Sequence, residues 1–126
     1  MIYYKNLTMN RLKVISEVIS STTPSYTKIF IEKTDKVATL WLNSPKDLNC
    51  LSTKMTSEIK QALPELDHDE SVKIIVIRSK SNKVFCAGAD IKHMKENDYA
   101  AYPNSMHFLS MERALRNVRK PVISVV

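Results

Sequence analysis

The sequence predicts an α/β fold in which a mostly parallel sheet winds with crossover helices into a ββα spiral. The run Val72–Ile77 is almost entirely β-branched, which is typical of a parallel strand covered on both faces. The order of the patterns along the chain is strand, strand, helix, strand, loop, helix, strand. At 126 residues, 44% hydrophobic and 25% charged, the composition suits a folded domain.

The first elements are a hairpin and a helix. Lys28–Lys33 and Lys36–Asn43 alternate between apolar and polar residues, which predicts two strands joined by a tight turn. Ser52 is the predicted N-cap of the following helix, and Pro64 is expected to end or bend that helix. Its apolar face consists of Met55, Ile59, Ala62, Leu63 and Leu66.

The single glycine, Gly88, is the most informative residue for function. About 7% usage would give a chain of this length roughly nine glycines. Val84 and Phe85 are predicted to form a strand leading into Gly88, and Asp90 to cap the helix that follows. A glycine at such a junction indicates a positive φ or the close approach of a ligand to backbone amides. Preorganised N–H groups of this kind stabilise a carbonyl oxygen that gains negative charge.

The last predicted elements are a helix and a strand. Asn104 or Ser105 caps the helix, and Pro121 separates it from the final strand. The apolar positions of this helix are Phe108, Met111, Leu115 and Val118. The carboxylates Glu96, Asp98 and Glu112 are expected to be solvated.

Four segments, in order, resemble the enoyl-CoA hydratase/isomerase (crotonase) superfamily. They are Val37–Pro45, Leu48–Ser52, Phe85–Met94 and Lys120–Val126. The resemblance implies that residues 26–126 form the N-terminal part of a crotonase-like domain, an incomplete α/β spiral. It also implies an acyl-CoA thioester as ligand, with coenzyme A as part of the substrate and no separate cofactor or metal.

The resemblance also implies a site. The backbone N–H of Ala89 corresponds to one of two oxyanion-hole donors for the thioester carbonyl. Residues expected to line the coenzyme A and thioester site are Lys46, Leu48, Ala87, Ala89, Asp90, Ile91 and Lys92. Of these, Lys46 and Leu48 are expected near the nucleotide or pantetheine part.

The family pattern continues beyond Val126, where the second oxyanion-hole glycine and two catalytic glutamates are expected. The 126-residue chain is therefore predicted to be an enoyl-CoA hydratase-like protein that is inactive by itself. A homo-oligomer or a larger assembly would complete the fold. The alternative is a non-catalytic, crotonase-derived structural or interaction subunit of a mitochondrial assembly.

The first 25 residues differ in composition from the rest. They hold Lys5, Arg11 and Lys13 against the single acid Glu17, and their apolar residues recur at helical spacing. This pattern is typical of a mitochondrial targeting segment, with a disordered extension as the alternative.

Composition argues against several other classes. The net charge of +6 is spread along the chain without aromatic and basic alternation, which does not favour nucleic acid. No stretch approaches 18 apolar residues, so no membrane span is predicted. Cys50 and Cys86 are too few for a disulfide framework or zinc ribbon. The cluster Asp67–Glu70 is expected to be a solvated loop rather than a metal site.

Overall fold

A computed structural model describes residues 25–96 and 106–126. The elements are β1 (Ile29–Thr34), β2 (Val37–Leu42), a 3₁₀ turn (Pro45–Asp47), α1 (Thr53–His68), β3 (Ile74–Ser79), α2 (Ile91–Glu96), α3 (Met106–Arg116) and β4 (Val122–Val125). This order confirms the predicted α/β class. The predicted targeting segment up to residue 24, Asp98 and the candidate caps Asn104 and Ser105 lie outside the described residues.

The four strands form one sheet in the order β1-β2-β3-β4. β1 and β2 are antiparallel, with Thr34 opposite Val37, and Asp35 in the turn has a φ of 53°. β3 then lies parallel to β2, and β4 parallel to β3. The predicted hairpin and crossover helices are therefore confirmed.

Helix α1 packs against one face of this sheet and begins where the sequence predicts. The Ser52 hydroxyl accepts a hydrogen bond from Met55 N at 3.2 Å, as an N-cap does. The helix does not end at Pro64 but continues to His68. Leu63 and Leu66, on either side of Pro64, are 0% and 2% exposed. Burying each leucine side chain stabilises the fold by about 1.5–3 kcal/mol, which offsets the roughly 3 kcal/mol that a proline inside a helix costs.

The opposite face of the sheet remains partly open. β3 was predicted to be covered on both faces, but Ile75 is its only fully buried residue. Across the outer face, Phe30 lies opposite Trp41 and Trp41 opposite Arg78. The Arg78 guanidinium lies 4.8 Å from the Trp41 ring centroid. A cation stacked on an aromatic ring covers part of the face that a second layer would otherwise bury.

The predicted solvated loop at Asp67–Glu70 is wrong for Asp67. Asp67 belongs to α1, is 7% exposed, and its carboxylate accepts hydrogen bonds from Arg119 N at 3.0 Å and from Lys120 N at 3.3 Å. Burial by itself would raise the pKa of Asp67, but the bonds from Arg119 and Lys120 hold it below its usual value. Asp67 thus ties the end of α1 to the start of β4.

A second buried carboxylate fixes the start of the sheet. Glu58, on α1 and 4% exposed, accepts hydrogen bonds from the backbone N–H groups of Thr27, Lys28 and Ile29. The distances are 3.0 Å to Thr27 N, 2.8 Å to Lys28 N and 3.1 Å to Ile29 N. These N–H groups precede or begin β1, so Glu58 serves as their acceptor where no neighbouring strand does.

The described residues contain neither a membrane-spanning helix nor a cluster of metal-binding side chains. No helix within residues 25–96 or 106–126 is long and apolar enough to cross a membrane. The same ranges hold no group of three or more His, Cys, Asp or Glu side chains placed to bind a metal ion.

Candidate functional site

Two irregular segments lie side by side at the carboxyl ends of β2 and β3. Ala87 N donates a hydrogen bond to Leu48 O at 3.0 Å, and Leu51 N donates to Gly88 O at 2.7 Å. Leu51 and Ala89 form a single parallel bridge. Because β2 and β3 are parallel neighbours, the segments that leave them meet at the same edge of the sheet, where α/β proteins commonly bind ligands.

Val84 and Phe85 do not form the predicted strand. Their carbonyl oxygens are instead bound by side chains: the Ser79 hydroxyl donates to Val84 O at 2.7 Å, and Asn49 Nδ2 donates to Phe85 O at 3.0 Å. Side-chain donors replace the ladder that a strand would have made, which allows the segment to bend toward Gly88.

Gly88 has a φ of 90°, a conformation that residues with a Cβ rarely adopt. A Cβ built on Gly88 would meet no atom within 4 Å. The glycine is therefore required by its backbone angle and not by close packing within the chain.

The Ala89 amide differs from its neighbours. Ala87 N donates a hydrogen bond to Leu48 O, and Gly88 N donates one to Cys86 Sγ at 3.4 Å. Within residues 25–96 and 106–126, Ala89 N–H has no hydrogen-bond acceptor. An amide without an internal acceptor can donate to the oxygen of a ligand.

Ala89 lines a cavity of about 380 Å³. The cavity is lined by Lys46, Asp47, Leu48, Cys50, Ala87, Ala89, Asp90, Ile91 and Lys92. The structure thus brings all seven of the residues expected at the site to one cavity, of a size usual for small-molecule sites. Asp47 and Cys50 were not predicted as site residues; the only signal for them is that Cys50 lies within the segment Leu48–Ser52 and that Asp47 directly precedes it.

The two carboxylates of the cavity already have partners. Asp47 Oδ2 lies 2.6 Å from Lys28 Nζ and accepts a hydrogen bond from Ser44 Oγ at 2.8 Å. The hydrogen bond from Lys28, followed by that from Ser44, holds the pKa of Asp47 below its usual value. Asp90 Oδ1 accepts from His93 N at 3.2 Å, which confirms Asp90 as the cap of α2.

The cavity thiol is not activated. Burial raises the pKa of Cys50, and the neighbouring carboxylate of Asp90 raises it further. The thiol therefore stays protonated at neutral pH, whereas a nucleophilic cysteine needs a lowered pKa. Cys50 and Cys86 are both free.

Comparison with known proteins identifies the family. The sequence model described as "Enoyl-CoA hydratase/isomerase" matches residues 37–126. The chain belongs to the enoyl-CoA hydratase/isomerase family. A probable mitochondrial enoyl-CoA hydratase of Dictyostelium discoideum is 39% identical over 121 residues, covering 90% of this chain and 43% of the relative.

Other members of the enoyl-CoA hydratase/isomerase family give the same result. A crotonyl-CoA hydratase of Syntrophomonas wolfei is 35% identical over 104 residues, covering 81% of this chain and 40% of the relative. The crystal structure of an enoyl-CoA hydratase from Mycobacterium marinum matches with a TM-score of 0.69 and 27% identity, covering 79% of this chain and 48% of that one. The chain thus spans less than half the length of these relatives.

Proposed function

We propose that this chain binds an acyl-CoA thioester in the 380 Å³ cavity, with the Ala89 N–H donating to the thioester carbonyl oxygen. Two observations carry the proposal: the Ala89 amide has no acceptor among the described residues, and Ala89 is one of the residues that line this cavity. A preorganised donor of this type is worth about 2.7–4 kcal/mol once the oxygen carries charge.

The rest of the cavity suits the remainder of coenzyme A. Lys46 and Lys92 are exposed ammonium groups that can meet its phosphates, and Leu48, 55% exposed, offers an apolar surface for the pantetheine arm. The salt bridge from Lys28 to Asp47 neutralises one carboxylate at this rim, which reduces repulsion of an anionic ligand.

In the proposal, the 126-residue chain binds its ligand without turning it over. Asp47 and Asp90 are the carboxylates of the cavity, and both are held by hydrogen bonds from within the chain. A general base works best with a pKa near the operating pH, and that of Asp47 is shifted the other way. The acid, the base and a second oxyanion donor would come from further sequence or from another chain in a homo-oligomer or larger assembly.

Calorimetric titration tests the binding. Acetoacetyl-CoA is expected to bind more tightly than coenzyme A because only the former offers a thioester carbonyl to Ala89. Lys92→Ala is expected to lower the affinity for both ligands. The loss should shrink as the salt concentration rises, because salt screens a pair of the Lys92 ammonium and a ligand phosphate over a Debye length of about 8–10 Å. Lys95→Ala is the matched control, since Lys95 is an exposed lysine of the same helix outside the cavity lining.

Two results would overturn the proposal. One is an absence of both heat and thermal shift at millimolar acetoacetyl-CoA. The other is equal affinity for acetoacetyl-CoA and coenzyme A, which would leave the Ala89 amide without a role.

The non-catalytic alternative has one observation in its favour. In β4, Ile123 and Val125 are 50% and 46% exposed, and exposed apolar side chains on a strand are typical of protein interaction surfaces. Failure of the titrations together with stable assembly into a larger complex would favour this structural role.

A mitochondrial location is proposed on two grounds, the basic and acid-poor composition of residues 1–25 and the mitochondrial relative in Dictyostelium. A fluorescent reporter fused to residues 1–25 is expected to enter mitochondria. A reporter in which Arg11 and Lys13 are replaced by Glu should remain outside. Equal distribution of both reporters would contradict the proposal.

A further inference from the structure

We infer that Asn49 and Ser79 are positioning residues that hold the Phe85–Ala89 segment in the shape needed to present the Ala89 amide, an inference that rests on the proposed function. Neither side chain lines the cavity, and neither was predicted from the sequence. Their role follows from the hydrogen bonds that they make to three separate parts of the chain.

Asn49 is the central residue of this network. It is 0% exposed, and its amide makes three hydrogen bonds: Oδ1 accepts from Ser44 N at 2.8 Å, while Nδ2 donates to Ser79 Oγ at 2.9 Å and to Phe85 O at 3.0 Å. Its backbone oxygen also accepts from Cys86 Sγ at 3.1 Å. One buried side chain therefore joins the 3₁₀ turn, the end of β3 and the segment before Gly88.

Ser79 extends the network at the end of β3. Its hydroxyl accepts from Asn49 Nδ2 and from Ser81 N at 2.9 Å, and donates to Val84 O at 2.7 Å. Asn49 and Ser79 thus bind the carbonyl oxygens of two consecutive residues, Val84 and Phe85. Because those residues have no strand partner at these oxygens, the two side chains fix the direction in which the segment enters Gly88.

The backbone of Asn49 guides the choice of variant. Its φ is 53°, in the left-handed region that Asn and Asp tolerate better than other residues with a Cβ. Asn49→Asp preserves this tolerance and the acceptor for Ser44 N, but removes both Nδ2 donors. Ser79→Ala is the milder variant, because Asn49 still accepts from Ser44 N and still donates to Phe85 O. Asn82→Ala is the control, an exposed residue of the same loop.

A first readout needs no ligand. In a Cys50→Ala background, Cys86 is the only thiol of the chain, and it is held against Asn49 O. Asn49→Asp and Ser79→Ala are expected to speed alkylation of Cys86 by iodoacetamide by about fivefold or more, the factor that corresponds to one lost hydrogen bond. Asn82→Ala should leave the rate unchanged.

A second readout separates positioning from general destabilisation. The ratio of the acetoacetyl-CoA affinity to the coenzyme A affinity is expected to fall about tenfold in Asn49→Asp, the factor for one to two lost hydrogen bonds. A purely structural effect would lower the melting temperature and weaken both ligands together, with the ratio intact.

The outcomes are distinct. If the wild-type chain binds no thioester, the proposed function fails, and the alkylation rates alone decide whether Asn49 and Ser79 hold the segment. If Asn49→Asp does not fold, Ser79→Ala decides. Unchanged alkylation rates, or an unchanged affinity ratio where the wild type binds the thioester, in folded variants would overturn the inference.

Discussion

The 126-residue chain is expected to hydrate crotonyl-CoA at least ~10⁴-fold more slowly than a complete enoyl-CoA hydratase. General acid–base groups contribute roughly 10²–10⁴ to such reactions, and one oxyanion donor roughly 10²–10³. The described cavity offers the Ala89 amide but no unengaged carboxylate, since Asp47 is bound by Lys28 and Asp90 by the backbone of His93. This chain is therefore expected to bind the thioester but to hydrate it only slowly.

Loss of the conjugated enoyl absorbance measures the rate, with a complete bacterial hydratase assayed alongside. Ala89→Pro is the control for contamination, because proline has no N–H to donate. Activity that is undiminished in Ala89→Pro comes from another protein, because loss of one oxyanion donor lowers a genuine rate by roughly 10²–10³. Turnover within tenfold of the complete enzyme, and lost in Ala89→Pro, would contradict the account.

The largest expected effect on stability is at Glu58. Replacing Glu58 by Ala leaves the N–H groups of Thr27, Lys28 and Ile29 without their acceptor, which we expect to cost about 3–5 kcal/mol. Glu58→Gln retains one acceptor oxygen and should cost about 1–2 kcal/mol. Chemical denaturation measures both, and Glu70→Gln, an exposed carboxylate, is the control. A loss below 1 kcal/mol in Glu58→Ala would show that β1 does not depend on this carboxylate.

The same carboxylate predicts a pH dependence. Burial alone would raise the pKa of Glu58, but the N–H donors of Thr27, Lys28 and Ile29 outweigh it and lower the pKa below 4.5. The folded state then binds the proton less tightly than the unfolded state. The stabilisation from Glu58 is therefore fully present above about pH 4.5 and is lost as the pH falls further. Glu58→Gln should unfold with a weaker dependence on pH in that range than the wild type, and an unchanged profile would argue against the assignment.

The features that were predictable depend on residues near one another in sequence. The hairpin, the cap at Ser52 and the cap at Asp90 each follow from short patterns, and each is present. The positive φ at Gly88 was predictable because Gly88 is the single glycine of the sequence and lies between a predicted strand and a predicted helix. The cavity residues were expected from the family resemblance, and no periodicity or spacing would have given them.

The features that were missed depend on partners distant in sequence. Asn49 contacts Phe85 across 36 residues, Glu58 contacts Thr27 across 31, and Asp67 contacts Arg119 across 52. A polar residue that finds a buried partner looks the same in sequence as one that faces water. For that reason Asp67 was predicted to be solvated and the Val84–Phe85 segment to be a strand.

The central claim is that the Ala89 amide donates to a thioester carbonyl, and amide proton–nitrogen correlation spectra test it directly. Titration with acetoacetyl-CoA is expected to move the Ala89 amide proton downfield, as a new hydrogen bond to an oxygen acceptor does. Coenzyme A, which has no thioester carbonyl, should shift the amides near Lys46 and Lys92 and leave Ala89 in place. An Ala89 resonance that stays unmoved at saturating acetoacetyl-CoA, or that responds equally to coenzyme A, would contradict the claim.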